Sequence, residues 1–246
     1  MIRIPKDTLG STIVTAKLQQ MDGPIMELDE MCTRFRAIPT PVICDAMYDL
    51  GIPEQVLSSR LRPLLPTKRM VGAAFTLIGR AIVPHVGWDD GIPRMQPYLR
   101  IFEELESDSV IVSVNPDSAV GHFGELTANA AKARGCQGVI LDGNLRDTEG
   151  LLRIGFQVFF SDLSPLNGIG RWEMAQKQIP VTIDGVSISP GDIIVGDFDG
   201  VIVVPRAEAE RVLIEAESVD AAEAKVRAEV AEGISPMQSF ERHGHI

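Results

Sequence analysis

The sequence predicts an α/β fold with an N-terminal helical extension and a long C-terminal helix, and three observations predict it. In the middle of the chain, apolar runs rich in β-branched residues alternate with a helical stretch: SVIVSV (109–114), helix 125–134, GVILD (138–142), FQVFF (156–160). That alternation implies parallel strands covered by helices. From PVTI (180–183) onward the rhythm shortens to DGVSI, PGDIIVGD and DGVIVVP, runs divided by Asp-Gly and Pro-Gly turns, as in antiparallel β structure. Residues 207–232 are rich in Ala, Glu and Val without proline or glycine, a long helix that Gly233 ends.

The other elements follow in chain order. Residues 1–25 carry no clear period. An amphipathic stretch at 26–36 predicts a helix, interrupted by Ile38-Pro39-Thr40-Pro41 because proline cannot continue it. Thr40 is placed to cap a second helix with Pro41 at its first position; Val42, Ile43, Ala46, Met47 and Leu50 share its apolar face and Gly51 ends it. Residues 53–69, rich in proline, leucine and arginine, form an irregular connection. VGAAFTLIGRAIV (71–83) is one strand or two, 85–95 a loop, 97–106 a helix, and 161–178 a polar loop containing Trp172. The tail ISPMQSFERHGHI is expected to be partly disordered. Without repeats or low-complexity linkers, the chain reads as an extension (1–37), one compact domain (38–232) and a tail (233–246).

Composition excludes some functions. The 246 residues carry 34 acidic against 23 basic side chains, a net charge of −11. Such a surface repels phosphate backbones and weighs against nucleic acid, while leaving room for an anionic substrate in a locally positive pocket. Cys32, Cys44 and Cys136 are odd in number and lack metal-like spacing, which predicts free thiols in a reducing compartment. No apolar run approaches the ~20 residues of a membrane span, and the N-terminus has no signal-peptide pattern. A soluble cytoplasmic protein is expected.

The chemistry concentrates where the strand GVILD runs into GNLRD (143–147). An arbitrary Arg-Asp pair is a surface ion pair. This one follows a buried strand, and ligands of open α/β sheets bind outside the carboxyl ends of strands. Gly143 is expected to allow a turn holding Arg146 and Asp147 over one pocket. Arginine's planar fork suits carboxylate or carbonyl oxygens, and aspartate holds a hard divalent cation such as magnesium. Together they suit a 2-oxo acid whose keto oxygen is polarised and whose enolate is stabilised. Glu125, at the start of the preceding helix, is placed to orient a water on the metal. The free first-turn amides of Leu126 and Thr127 are placed to receive a substrate carboxylate.

An acidic residue, twenty intervening residues and Arg-Asp (Glu125, then Arg146-Asp147) form a recognisable spacing. With GELTANAAKARG, GVILDGNLRD, PGDIIVGDFDGVIVVP and PVICDAMYDLG, it resembles the family of class II 4-hydroxy-4-methyl-2-oxoglutarate/4-carboxy-4-hydroxy-2-oxoadipate aldolases and RraA-like (regulator of ribonuclease activity A) proteins over about residues 38–232. The resemblance implies a swivelling β/β/α-type domain assembled as a homotrimer or a hexamer, a dimer of trimers. It implies that Arg146 binds the pyruvyl part of the substrate and that Asp147 holds Mg2+, Mn2+ or another divalent cation, partly through water. Glu125 would bond a metal-bound water, where many aldolases have aspartate, and the amides of Leu126 and Thr127 would face the substrate carboxylate. Glu223 is the best match for a glutamate that the family draws from the neighbouring subunit.

The implied reaction is metal-dependent cleavage of 4-hydroxy-2-oxo acids to pyruvate and a second oxo acid, through a metal-stabilised enolate, with oxaloacetate decarboxylation as a companion activity. No lysine in a Schiff-base context competes with this. The alternative is a non-catalytic protein-binding regulator of ribonuclease activity on the same fold. A methyltransferase name also attaches to the family, but no G-x-G loop supports it.

Around this core, Asp142 is expected to bond turn amides rather than join the site. Asp45 is expected to make a structural hydrogen bond, and His122 to serve at a helix entry or the surface rather than carry protons. His243 and His245 belong to a solvated tail, and GDFDG (196–200) to turn chemistry rather than a calcium loop. Segments 85–95 and 161–172, with Ser164, Pro165 and Arg171, are expected to shape the far end of the pocket.

Overall fold

The computed structural model describes residues 26–53, 55–116 and 119–244. Two helices open it, α1 (Leu28–Ala37) and α2 (Thr40–Asp49). Then come β1 (Arg62–Pro63), β2 (Met70–Ala81), α3 (Trp88–Glu104), β3 (Ser109–Val114), β4 (Gly121–Phe123), α4 (Glu125–Ala133), β5 (Gly138–Leu145), α5 (Thr148–Ile154) and β6 (Gln157–Leu163). The rest is β7 (Trp172–Lys177), β8 (Val181–Ile183), β9 (Val186–Ile188), β10 (Ile193–Gly196), β11 (Val201–Val204), α6 (Ala209–Ala231) and α7 (Pro236–His243). The predicted α/β class, helical N-terminal region and long C-terminal helix are all present.

The main sheet runs β1-β6-β5-β3-β2-β10-β11, with β4 added to β5 and β7 to β2. Its centre, β2-β3-β5-β6, is parallel, and β10 and β11 extend it antiparallel. Parallel strands are buried on both faces, which is why SVIVSV and GVIL are continuously buried instead of alternating. Along β3, Ile111 faces a core built with Tyr98, Ile101 and Phe102 of α3 and Ala128 and Ala131 of α4. Val110, Val112 and Val114 face the other way, toward Val181, Ile183 and Ile188 of the β8–β9 hairpin. A third cluster joins α1, α2 and α6 to Val71, Ile193, Val195 and Val204. Met31, Cys32 and Phe35 of α1 are buried there, and Arg34 grips Glu217 of α6 through two bonds of 2.8 and 2.7 Å. Burial pushes the Cys32 thiol up to about 12 and Cys136 to about 11. Cys32, Cys44 and Cys136 form no disulfide.

Several sequence expectations are corrected. Thr40 is not the cap of α2 but its first residue. Asp197, from the GDFDG turn, supplies the cap from afar, accepting the Thr40 amide at 2.9 Å and its hydroxyl at 2.7 Å. Segment 85–95 is not a loop: α3 begins at Trp88 and carries Pro93 and Pro97 inside it. Each proline removes one helical bond, but Tyr98, Ile101 and Phe102 are buried on the inner face, so packing outweighs propensity. Within 161–178 the chain forms the end of β6 and all of β7. Strand β7 lies on β2 where Gly79 leaves room: a Cβ there would meet Trp172 Nε1 at 2.1 Å. The tail is not solvated coil, because α7 folds back on α6. Glu229 accepts from Ser239 Oγ at 2.8 Å and lies 3.0 Å from His243 Nε2. His245 lies outside the described residues. No helix among those residues is long and apolar enough to cross a membrane.

Candidate active site

The site grows from an irregularity in β5. Leu141 pairs with Phe160 of β6, but Asn144 pairs with Asp162, so β5 carries one extra residue around Asp142 and Gly143. Ser161 Oγ stitches the bulge, accepting the Gly143 amide at 3.1 Å and donating to its carbonyl at 3.0 Å. The strand therefore does not turn at Gly143, as the sequence suggested, but continues to Leu145. Glycine is needed there for close approach, since a Cβ would meet His122 Nδ1 at 2.8 Å.

The backbone instead turns at Asp147, which adopts a left-handed conformation (φ 54°, ψ 37°) and opens α5. Asp and Asn tolerate this region better than most residues, and such outliers cluster at functional sites. The carboxylate makes no cap bond to α5. Its Oδ1 accepts from Arg146 Nε at 3.1 Å, and its Oδ2 from the Glu125 amide at 3.3 Å. Arg146, Asp147 and the N-terminus of α4 are thus one unit. Gly124 makes room for it, since a Cβ there would stand 2.4 Å from Asp147 Oδ2. Among the described residues the two Nη groups of Arg146 have no partner.

This unit lines a cavity of about 330 Å³, at the small end of the ~300–1,000 Å³ usual for ligand pockets. Leu126 and Thr127 line it too, and their amides are the first-turn donors that a helix leaves without acceptors of its own. Ile92, Met95 and Leu99 of α3, Asn167, Ile169 and Trp172 also line the cavity.

Not every candidate converges. Glu125 begins α4, but its carboxylate lies 3.7 Å from Arg153 Nη2, against Gly150, and does not line the cavity. Glu223 sits on α6, bonded to Arg227 at 2.8 Å, and does not line its own chain's cavity. Among the described residues Asp142 bonds no turn amide; its carboxylate is held by Arg60 Nη1 at 2.7 Å, while Arg60 Nε holds Asp184. Asp45 is exposed, and among the described residues its side chain makes no structural hydrogen bond. Arg171 bonds Asn167 Oδ1 at 3.2 Å and, like Ser164 and Pro165, stays out of the lining.

His122 is the largest correction. It is only 6% exposed, buried in β4 at the cavity rather than at a surface. Its Nδ1 accepts the Asn144 amide at 3.1 Å, which places the neutral ring's proton on Nε2, an atom with no partner among the described residues. The ring meets Trp172 edge-on at 5.6 Å. Burial pushes its pKa down to about 4, so it is neutral near pH 7. In the unfolded chain it titrates near the ordinary ~6.5, so the unfolded state binds the extra proton first as pH falls. Stability is expected to drop by up to about 3 kcal/mol between roughly pH 6.5 and 4, then level off in this contribution. Urea melts across that range test this; His122→Gln, which keeps a polar acceptor, flattens the dependence.

Segments 85–95 and 161–172 do line the cavity, through Ile92, Met95, Asn167, Ile169 and Trp172, but sequence reasoning missed the burial of Trp172 and its partner Asn115, whose Oδ1 accepts from Trp172 Nε1 at 3.0 Å. An isolated tryptophan in a polar stretch was the one available signal.

The family model described as RraA-like, Aldolase/RraA, matches residues 40–203, from α2 to β11 and including every residue of the Arg146–Asp147 unit. The chain belongs to the RraA-like family. A relative from Halalkalibacterium halodurans named "Putative 4-hydroxy-4-methyl-2-oxoglutarate aldolase" is 29% identical over 216 residues, 86% of this RraA-like chain and 93% of the relative. An uncharacterized protein from Pseudomonas syringae superposes with a TM-score of 0.74 at 25% identity, over 88% of this chain and 98% of its own. Streptomyces coelicolor RraAS2, described as an unusual member of the RNase ES inhibitor RraA protein family, superposes at 0.69 with 22% identity, over 83% of this chain and 99% of its own; that likeness speaks for the fold.

Proposed function

We propose that this RraA-like protein is a divalent-metal-dependent carbon–carbon lyase. It cleaves 4-hydroxy-2-oxo acids to pyruvate and a second carbonyl compound and also decarboxylates oxaloacetate, working in the cytoplasm as a homotrimer or hexamer. The observation that carries this reading is the Arg146–Asp147 unit tied to the N-terminus of α4 inside a small cavity. The aldolase names of several relatives support the reaction class.

The residues present fit a magnesium-type cation. Among the described residues no three His, Cys, Asp or Glu side chains gather to form a complete protein cage. Magnesium needs none, since it keeps several waters and rests on one or two carboxylates. Asp147 is half-exposed at the cavity, and Gly124 clears the space beside its Oδ2. When bound, the cation acts as a Lewis acid on the 2-oxo group.

The chain's own groups do the rest. Arg146 offers its free Nη donors to the substrate's 2-oxo acid end and holds it in one orientation. The amides of Leu126 and Thr127 receive the carboxylate at the positive end of α4. Loss of the C4 hydroxyl proton breaks the C3–C4 bond, its electron pair passes to C3, and protonation at C3 completes pyruvate. Glu125 reaches water at the site by leaving Arg153, a separation that costs little because exposed ion pairs are worth ~0–1 kcal/mol. Glu223 of a neighbouring copy adds a third carboxylate, beside Asp147 and Glu125.

The test is pyruvate release from oxaloacetate, coupled to lactate dehydrogenase, with the spontaneous metal-catalysed background subtracted. Activity with magnesium is expected to fall to background with chelator. A folded protein with magnesium and no activity above background overturns the reading in favour of partner binding without chemistry.

A further inference from the structure

Between Leu141 and Asn144 the β5–β6 ladder is interrupted, and side chains stand where a neighbouring strand would. Backbone groups withdrawn from water need partners. Ser161 Oγ takes the Gly143 amide at 3.1 Å and returns its own proton to the Gly143 carbonyl at 3.0 Å. The next amide, of Asn144, goes to His122 Nδ1 at 3.1 Å. His122 is itself fixed: its carbonyl accepts from the Tyr98 hydroxyl at 3.2 Å and its ring meets Trp172 edge-on. Just beyond, the chain is strand-like again, with the Leu145 carbonyl accepting the Ser164 amide and the Arg146 amide donating to the Phe123 carbonyl, both at 3.0 Å. The two side-chain clamps therefore lie immediately ahead of Arg146 and Asp147. Bulges beside active sites re-aim the side chains that follow them.

We infer that His122 and Ser161 are positioning residues: by holding the β5 bulge they aim Arg146 and Asp147 at the cavity. The effect on turnover rests on the lyase reading above. The effect on the Arg146–Asp147 pair does not.

The test uses the full chain with magnesium and pyruvate release from oxaloacetate. Ser161→Ala removes both bonds to Gly143 and is expected to lower kcat by about 10²-fold, the scale of a small misplacement of a reacting group. Ser161→Thr keeps the hydroxyl and is expected to restore most of it. His122→Asn sets a carbonyl oxygen near the place of Nδ1 but loses the ring's packing, whereas His122→Leu keeps bulk and loses the bond. The asparagine variant is expected to melt lower than the leucine variant yet retain the higher kcat, an order that a purely structural role would not produce. In an Arg146→Ala background, Ser161→Ala is expected to cost nothing further, because residues acting through one another are not additive. The NMR signal of Arg146 Nε–H, identified by its loss in Arg146→Ala, is expected to move in Ser161→Ala and to stay in Ser161→Thr. A Ser161→Ala variant that keeps full kcat overturns the inference, as does a loss that persists undiminished in the Arg146→Ala background. If the unaltered protein releases no pyruvate above background, the lyase reading falls and the NMR signal alone decides: moved, it upholds the positioning role, and unmoved, it overturns it.

Discussion

Arg146→Ala is expected to lower kcat/KM for pyruvate release by about 10²–10³-fold, the usual cost of removing one preorganised donor from developing charge. The side chain is positioned by its neighbours: its amide bonds the Phe123 carbonyl at 3.0 Å, its stem packs where Gly121 lacks a Cβ, and its Nε is held by Asp147. Among the described residues it is the only cation lining the cavity, so its removal costs the substrate's acid end both attraction and orientation. Arg146→Lys is expected to recover only part of the loss, because an ammonium is a point charge and cannot form the planar two-point contact. Stability should barely change, since a half-exposed pair contributes ~0–1 kcal/mol. Steady-state kinetics beside a thermal melt separate the two effects. Full activity in Arg146→Ala would remove this residue from the chemistry.

Trp172→Ala is expected to cost about 3–5 kcal/mol, the range for truncating a large buried aromatic. Trp172 is 1% exposed, meets Tyr98 edge-on at 5.0 Å and His122 at 5.6 Å, and donates to Asn115 Oδ1. Its removal opens a void between β2 and α3 and strands a buried amide oxygen. Trp172→Phe restores most of the packing but not the hydrogen bond, and is expected to lose about 1–3 kcal/mol through the unsatisfied acceptor. Chemical denaturation of both variants measures the difference. A loss below about 1 kcal/mol for the alanine variant would show that the wall collapses to fill the space.

These two residues stood differently in the sequence. Arg146 was visible because a strand, a glycine and an Arg-Asp pair are contiguous, and the spacing to Glu125 is a one-dimensional pattern. Trp172 was visible only as the end of a segment expected to shape the pocket; its burial was not, because its partners Tyr98, Asn115 and His122 lie 50 to 74 residues away, and only the pairing of β7 with β2 brings it to them. The same limit explains Asp197, whose turn signal was read correctly while its role as the cap of α2 was not. It explains α3 as well, where two prolines argued for a loop until the buried face outweighed them.

By itself the sequence determined the α/β class, the parallel centre, the antiparallel C-terminal strands and the long last helix, together with the place where charge meets a strand end. Those features are written in local periodicity, turn residues and burial on both faces, which need no knowledge of distant neighbours. Only the tertiary structure decided that β5 bulges instead of turning at Gly143, that Asp147 takes the left-handed conformation, that the Glu125 carboxylate faces Arg153 and not the cavity, and that His122 is buried and neutral. Side-chain direction and ionisation follow from close approaches between segments far apart in the chain. Those approaches exist only once the sheet is assembled.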